Sequence, residues 1–251
     1  MSGIFNSELD SILEGTSRSF YLSLKELPRA IRPQVSLLYM LARTSDTIAD
    51  SEGGEPSELL EALESYDDFT QGRSSEAPKL SSFSEFQTNK LEGLLLKNVD
   101  TVVSRIEGFS ESDQESIRSC LGIIISGQIL DVNRFSLGAE DIPSLEKDDE
   151  LDDYAYRVAG SVGEFWTRMS LAHLFKLDHE KENQLFENGV RFGKSLQMIN
   201  ILRDIPADLE LGRCYIPRKS LEKHKLSPHD LLDKSKMEPF RPLYDLSLIH
   251  I

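Results

Sequence analysis

The sequence has 251 residues, of which 39% are hydrophobic and 28% are charged. A chain of this length can bury a sizeable core, and its composition excludes a collagen-like or disordered protein. The formal net charge of −15 argues against non-specific binding to nucleic acid or to an anionic membrane, because the long-range field has the wrong sign.

No stretch approaches the roughly 18 apolar residues that would span a bilayer, and the N-terminal segment has acidic residues and no long apolar run. Cys120 and Cys214 lie far apart and in no metal-ligand spacing, which indicates ordinary free thiols. We therefore expect a cytoplasmic protein without a signal peptide, for which peripheral contact with a membrane stays open.

Apolar residues recur three and four positions apart over long stretches, whereas strand patterns are weak, so the sequence predicts an all-α fold. In chain order, the helical pattern is clearest at 32–50, 116–135, 154–175 and 189–204. Segments rich in Gly, Pro, Ser or acidic residues are predicted loops, at 51–58, 71–86 and 137–153. No linker divides two cores, so we expect a single domain over residues 1–251.

The C-terminal segment departs from this pattern. A helical pattern begins after "MEPFRPLYD" (237–245), and the last six residues, "LSLIHI" (246–251), resemble the translated start of a common sequencing adapter. We expect residues 246–251 to be artefactual and the domain to lack its last helices.

Two of the predicted helices carry a polar stripe with two aspartates one turn apart. At 100° per residue, the first stripe is about 60° wide and contains Tyr39, Arg43, Asp46 and Asp50. The second is about 80° wide and contains Gly193, Gln197, Asn200, Asp204 and Asp208. Like charges at this spacing destabilise a helix by roughly 0.2–0.5 kcal/mol. One such pair alone is usually a solvated face, but two in otherwise apolar helices favour an oxygen-rich cavity.

An oxygen-rich cavity of this kind suits Mg²⁺, which takes oxygen ligands and is commonly shared between carboxylates and substrate phosphates. The metal would invert the local charge and so reconcile an acidic protein with an anionic ligand. Four arginines lie near the stripes, and their planar guanidinium groups match the oxygens of a diphosphate. They are Arg18, Arg43, Arg203 and Arg213.

Pro206 lies between Asp204 and Asp208. A proline in a helix interior removes a backbone hydrogen bond and costs about 3 kcal/mol. We predict a kink rather than a break, with both aspartates still facing the cavity.

Several motifs together resemble the squalene/phytoene synthase family, the head-to-head prenyl synthases. The resemblance starts at "TSRSFYLSLKELP" (16–28), passes through "YMLARTSDTIAD" (39–50) and "YAYRVAGSVGEFW" (154–166), and ends in "LQMINILRDIPADLELGRCYIP" (196–217). It implies the isoprenoid synthase fold, an all-α bundle around a central cavity.

The resemblance also implies roles for individual residues. Metal binding is expected of Asp46, Asp50, Asn200, Asp204 and Asp208. The same four aspartates and Tyr154 are the expected catalytic residues. Substrate binding is expected of Ser17, Arg18, Ser19, Tyr39, Arg43, Gln197, Arg203, Arg213 and Tyr215. The small side chains Val158, Ala159 and Gly163 are expected either to line a hydrocarbon tunnel or simply to pack helices.

The implied reaction is a Mg²⁺-dependent head-to-head condensation of two prenyl diphosphates, either farnesyl or geranylgeranyl diphosphate. It proceeds through a cyclopropyl diphosphate to a squalene- or phytoene-type hydrocarbon, whose release would explain contact with a membrane. NADPH is expected only if the product is squalene. Two alternatives stay open: a non-catalytic family member that acts as an assembly or binding protein, and another helical enzyme of prenyl diphosphates such as a terpene cyclase.

Overall fold

The computed structural model describes residues 5, 7–17, 20–51, 54–135 and 141–250, without the side chains of residues 7 and 246–250. The predicted all-α fold is confirmed. Within the described ranges the β structure amounts to one isolated parallel bridge, between Ser144 and Cys214. Residue 251 and the side chains of residues 246–250 lie outside the description. The expectation that residues 246–251 are artefactual therefore stays a prediction.

The α-helices of the first half of the chain are α1 (Ser7–Ser17), α2 (Phe20–Glu26), α3 (Arg32–Ala49), α4 (Pro56–Thr70), α5 (Ser81–Glu85), α6 (Lys90–Lys97), α7 (Val99–Ser104) and α8 (Glu111–Phe135). Those of the second half are α9 (Asp148–Ala155), α10 (Ser161–His173), α11 (His179–Glu210), α12 (Arg218–Lys223) and α13 (Met237–His250). A π-helical segment, Tyr156–Gly160, follows α9, and short 3₁₀ turns occur at Arg105–Gly108, Pro228–Leu232 and Lys234–Lys236. In the described part of the chain, no helix is both long enough and apolar enough to cross a membrane.

The chain forms two compact units. Unit 1 comprises Met1–Ile129 and Phe165–Glu182, and unit 2 comprises Leu130–Glu164 and Asn183–Ile251. Helices α8, α10 and α11 have residues in both. The single domain over residues 1–251 stays a prediction.

Unit 1 is organised around α3, which packs against α1, α2, α4, α6 and α7. Pro33 lies in its first turn, where a missing N–H costs no helical hydrogen bond. Its buried side chains occur on most sides of the helix. Two of its buried hydroxyl groups are satisfied locally, because Thr44 and Thr47 donate to the carbonyls of the residues four positions earlier. The helix that carries the first acid pair is therefore fixed by contacts along its whole length.

Unit 2 buries a hydrophobic cluster that includes Tyr154 on α9, Ile201 and Leu202 on α11, and Tyr215 and Ile216 after α11. Helix α11 continues through Pro206, so the prediction that the proline does not break it is confirmed. The helix ends at Glu210, and the turn that follows it contains Gly212, whose φ of 72° is readily adopted only by glycine.

Some predicted boundaries are wrong. Helix α4 begins at Pro56, inside the predicted loop 51–58, because a reciprocal capping box between Glu55 and Glu58 satisfies its first turn. Helices α5 and α9 likewise begin inside the predicted loops 71–86 and 137–153, and the acidic first turn of α9 suits the positive end of the helix dipole.

The segment 154–175, predicted as one amphipathic helix, contains the π-helical segment and so is not a continuous α-helix. Glycines of this segment and of α11 explain the close packing in this part of unit 2. A Cβ at Gly163 would lie 1.9 Å from the carbonyl oxygen of Gly189, and one at Gly193 would lie 2.2 Å from that of Ala159. Gly163 and Ala159 thus pack helices closely, which is one of the two roles expected of them.

Candidate active site

The first polar stripe connects α3 to neighbouring helices of unit 1. The Tyr39 hydroxyl donates to the carbonyl of Thr16 on α1 at 3.3 Å, and its ring lies against Phe20, with 4.9 Å between centroids. One turn later, Arg43 forms an ion pair of 2.6 Å with Glu92 on α6. The stripe is therefore held by specific polar contacts and is not a freely solvated face.

The first acid pair lies at the C-terminal end of α3. A carboxylate oxygen of Asp46, Oδ1, accepts a hydrogen bond from the side-chain amide of Gln128 on α8. Asp50 was expected within the helix, but α3 ends at Ala49 and Asp50 is its C-cap. The backbone N–H of Asp50 still donates to the carbonyl of Asp46 at 2.9 Å, so the one-turn relation between the two aspartates is retained.

The electrostatics of this pair favour a cation. Burial, and then the charge of Asp50, raise the pKa of Asp46 to about 6, while Arg43 and the hydrogen bond from Gln128 act to lower it. The carboxylate of Glu92 also raises this pKa. When ionised, these three carboxylates and one guanidinium carry a local charge of −2, which a divalent cation would balance.

The second stripe lies on α11, in unit 2, where Gln197, Asn200, Asp204 and Asp208 are all partly buried. Arg203 binds both carboxylate oxygens of its neighbour Asp204, at 2.7 and 2.6 Å. These hydrogen bonds lower the pKa of Asp204. The structure thus pairs a residue predicted to bind diphosphate with a residue predicted to bind metal.

The turn after α11 determines where Arg213 and Tyr215 lie. The N–H of Gly212 donates to the carbonyl of Leu209 at 3.0 Å, and that of Arg213 to the carbonyl of Asp208 at 2.8 Å, the two bonds of a Schellman motif. The chain then pairs with the segment before α9: the N–H of Cys214 donates to the carbonyl of Pro143, and the N–H of Leu145 donates to the carbonyl of Cys214, both at 3.1 Å. This turn directs Tyr215 into the core of unit 2.

Tyr154 and Tyr215 come together with Asp131, a residue of α8. The two rings stack with 4.7 Å between centroids, and the Tyr215 hydroxyl donates to Asp131 Oδ2 at 2.7 Å. Burial raises the pKa of Asp131 to about 6, against the lowering effects of hydrogen bonds from both tyrosines and of the charges of Arg213 and Arg134. Burial and the charge of Asp131 in turn raise the pKa of Tyr154. The phenol of Tyr154 is therefore a proton donor in this cluster, not an anion.

The N-terminal substrate segment is described only at its start. Ser17 is buried, and its hydroxyl donates to the carbonyl of Leu13 within α1. Arg18 and Ser19 lie outside the described residues. Substrate contact by these three residues stays a prediction.

Three residues in contact with these predicted positions were not identified from the sequence: Glu92, Gln128 and Asp131. Gln128 and Asp131 have a visible signal, since each interrupts the apolar run of "GIIISGQILDV" (122–132). Glu92 is one charge among many and has no comparable signal. Among the described residues, no three His, Cys, Asp or Glu side chains gather into a group that could hold a metal ion.

The donors at the first acid pair nevertheless fit Mg²⁺. All of them are oxygen atoms, the local charge is −2, and the carbonyl oxygen of Gln128, Oε1, is buried without a hydrogen-bond partner in the described part of the chain. An orphaned buried oxygen of an amide that donates to Asp46 suits an additional oxygen ligand or an ordered water.

An all-helical chain with two D-x-x-x-D pairs and this helix arrangement has the isoprenoid synthase fold. A solved complex of TcSQS with the ligand E5700 aligns with a TM-score of 0.75 at 21% identity, over 97% of this chain and 69% of that one. The model of the squalene/phytoene synthase family matches residues 13–246. The chain belongs to the squalene/phytoene synthase family.

Curated relatives agree with this assignment. A presqualene diphosphate synthase of Sinorhizobium fredii is 31% identical over 92% of this chain and 71% of its own length. A bifunctional lycopene cyclase/phytoene synthase of Blakeslea trispora is 30% identical over 85% of this chain, but the match spans only 33% of that protein. The chain therefore corresponds to part of the length of these relatives.

Proposed function

We propose that the protein catalyses the head-to-head condensation of two prenyl diphosphates. The observation that carries the proposal is the family match over residues 13–246, which includes both acid pairs, Asp46 with Asp50 and Asp204 with Asp208. The substrates we propose are farnesyl or geranylgeranyl diphosphate, and the product is a squalene- or phytoene-type hydrocarbon formed through a cyclopropyl diphosphate.

We propose that Asp46, Asp50, Asn200, Asp204 and Asp208 hold Mg²⁺. When bound, the metal would supply charge neutralisation for a departing diphosphate. The local charge of −2 around Asp46 supports this assignment, since without a cation the charges of this pair repel a diphosphate as well as each other.

The remaining predicted residues would orient the substrate. Arg43, Arg203 and Arg213 are the candidates for direct contact with diphosphate oxygens, although Arg43 and Arg203 each hold a carboxylate in the structure. Binding of a diphosphate would therefore require an exchange of partners. Such an exchange releases Glu92 and Asp204, and the released Asp204 carboxylate becomes free to serve as a metal ligand.

Tyr154 is the candidate for contact with the reacting hydrocarbon. It is 7% exposed, its ring stacks on Tyr215, and its phenol stays protonated because its pKa is raised. An electron-rich ring face in an apolar setting stabilises a passing cation. The protonated phenol makes Tyr154 a poor general base, so in this proposal the proton lost on ring closure goes to another group, such as the released diphosphate.

The proposal is tested by incubating the protein with Mg²⁺ and each of the two prenyl diphosphates, with and without NADPH. Release of inorganic diphosphate and the extracted hydrocarbon are both measured. A C30 or C40 hydrocarbon and its cyclopropyl diphosphate precursor are the expected products, and a product made only with NADPH would identify squalene. Absence of diphosphate release from both substrates would leave the non-catalytic binding role as the better account.

A further inference from the structure

Gln128 occupies a position where the pattern of α8 calls for an apolar residue. Leu121, Ile124 and Ile125 are buried on the same face, at seven, four and three positions before it, so a leucine or methionine would fit the helical pattern. Gln128 is only 8% exposed. A buried amide is costly unless its polar atoms are satisfied, so a glutamine here requires a reason.

One half of its amide has an obvious role. The Nε2 group donates to Oδ1 of Asp46, from a helix 82 positions further along the chain. This bond occupies Oδ1, one of the two carboxylate oxygens, and so restrains the orientation of the Asp46 side chain. The neutral amide also holds Asp46 without adding a negative charge. A glutamate at the same position would add one.

The other half of the amide has no hydrogen-bond partner among the residues that the structure describes. Oε1 is buried and accepts no hydrogen bond from the described residues. The two amide atoms are attached to the same carbon, so the bond from Nε2 to Asp46 also fixes Oε1 beside that carboxylate. A neutral oxygen in this position is of the type that hard cations and their bound waters take as a ligand or acceptor.

We propose that Gln128 is a positioning residue of the first acid pair, which orients Asp46 through Nε2 and adds Oε1 to the oxygen atoms that surround the cation. This inference rests on the proposed function in that it takes Asp46 and Asp50 as cation ligands. Hydrogen-bonded partners of metal ligands commonly change metal affinity by 10–100-fold when they are removed.

The experiment compares Gln128→Met with the parent chain. Methionine keeps the length of the side chain and removes both polar amide atoms. Gln34→Met is the matched control, because Gln34 is also a buried glutamine of unit 1, 6% exposed, which donates to a different carboxylate, Asp113, at 3.1 Å. Gln128→Asn is a third variant, in which the amide group is kept but lies one methylene group closer to the backbone, and so farther from Asp46.

Mn²⁺ is the probe, and its free concentration is followed by electron paramagnetic resonance, both alone and with an excess of inorganic diphosphate. Gln128→Met is expected to weaken Mn²⁺ binding about 10–100-fold, Gln128→Asn to weaken it less, and Gln34→Met to change it less than twofold. Circular dichroism verifies that each variant remains helical, and Gln128→Asn keeps the test informative if Gln128→Met does not fold.

The inference would be overturned if Gln128→Met bound Mn²⁺ with the parental affinity under both conditions. It would also be overturned if Gln34→Met lost as much Mn²⁺ affinity as Gln128→Met, or if the parent chain bound no Mn²⁺ in either condition. Turnover of prenyl diphosphates is measured separately. A parent chain that binds Mn²⁺ through Gln128 but releases no diphosphate would contradict the proposed function and leave this inference intact.

Discussion

Replacing Asp131 with asparagine tests how strongly the interior of unit 2 disfavours a charge. The pKa of Asp131 is raised from 3.8 to about 6, which corresponds to about 3 kcal/mol between its two protonation states. The groups that face it are Tyr154, Tyr215, Arg134 and Arg213, and all four act to lower the pKa. Burial outweighs them, so the carboxylate is stabilised less in the folded protein than in water.

The sign of the pH dependence follows from this direction. Because the folded pKa is higher than the unfolded one, the stability that Asp131 contributes is fully present below about pH 4 and is lost as the pH rises through about 6. Asparagine does not titrate and still accepts the hydrogen bond from Tyr215. The difference in unfolding free energy, parent minus Asp131→Asn, is expected to fall by about 2.5 kcal/mol between pH 4 and pH 8.

The assay is urea denaturation followed by far-ultraviolet circular dichroism across this pH range. By the same linkage relation, about half of the expected change in unfolding free energy occurs above pH 5. In that range the pH is above the isoelectric point of the protein, which is about 4.8. Tyr215→Phe is the companion variant. It removes a hydrogen bond that lowers the pKa of Asp131, so its own stability should fall more steeply with pH than that of the parent. A parent-minus-Asp131→Asn difference that is flat within about 1 kcal/mol over the whole range would refute the argument from burial.

Three further predictions address the acid pairs, the helix packing and the thiols. Asp204→Ala should abolish release of diphosphate from prenyl diphosphates while the helical circular dichroism signal is retained, and unchanged turnover would contradict its proposed metal role. Gly163→Ala should destabilise the fold by about 1–3 kcal/mol in urea denaturation, because the new Cβ would meet a backbone oxygen at 1.9 Å. Gly108→Ala is the control, because nothing lies within 4 Å of a Cβ at that position. Burial raises the pKa of Cys214 to about 11. At pH 8 this thiol should therefore react with a disulfide reagent far more slowly in the native protein than in urea. Equal rates would mean that the thiol is accessible in the native protein.

The sequence predicted the elements whose signal is repeated along the chain. Helices at 32–50, 116–135 and 189–204 were predicted from three- and four-residue spacing, and α3, α8 and α11 confirm them. Helix starts such as Pro56 were misplaced because their stabilisation comes from a few capping atoms within a polar segment, and such a segment has the composition of a loop.

Partners of the site residues were much harder to predict than the residues themselves. Tyr154 and Tyr215 were identified through a family motif, but Asp131, which accepts the hydroxyl of Tyr215, lies 84 positions away from it. Gln128 and Asp46 are separated in the same way, by 82 positions. Contacts of this kind depend on how helices pack, and hydrophobic periodicity describes a helix face without saying which residue of another helix meets it.

Pro206 shows how packing prevails over local preference. A proline in a helix interior costs about 3 kcal/mol, yet α11 continues through it. Leu202 and Leu209, on either side, are 8% and 5% exposed, and burying two such side chains contributes about 3–6 kcal/mol. That gain is large enough to offset the proline, because breaking the helix at Pro206 would change the direction of the chain between the two leucines. The same burial keeps Asp204 and Asp208 on one helix, so the acid motif persists because of the apolar residues around it.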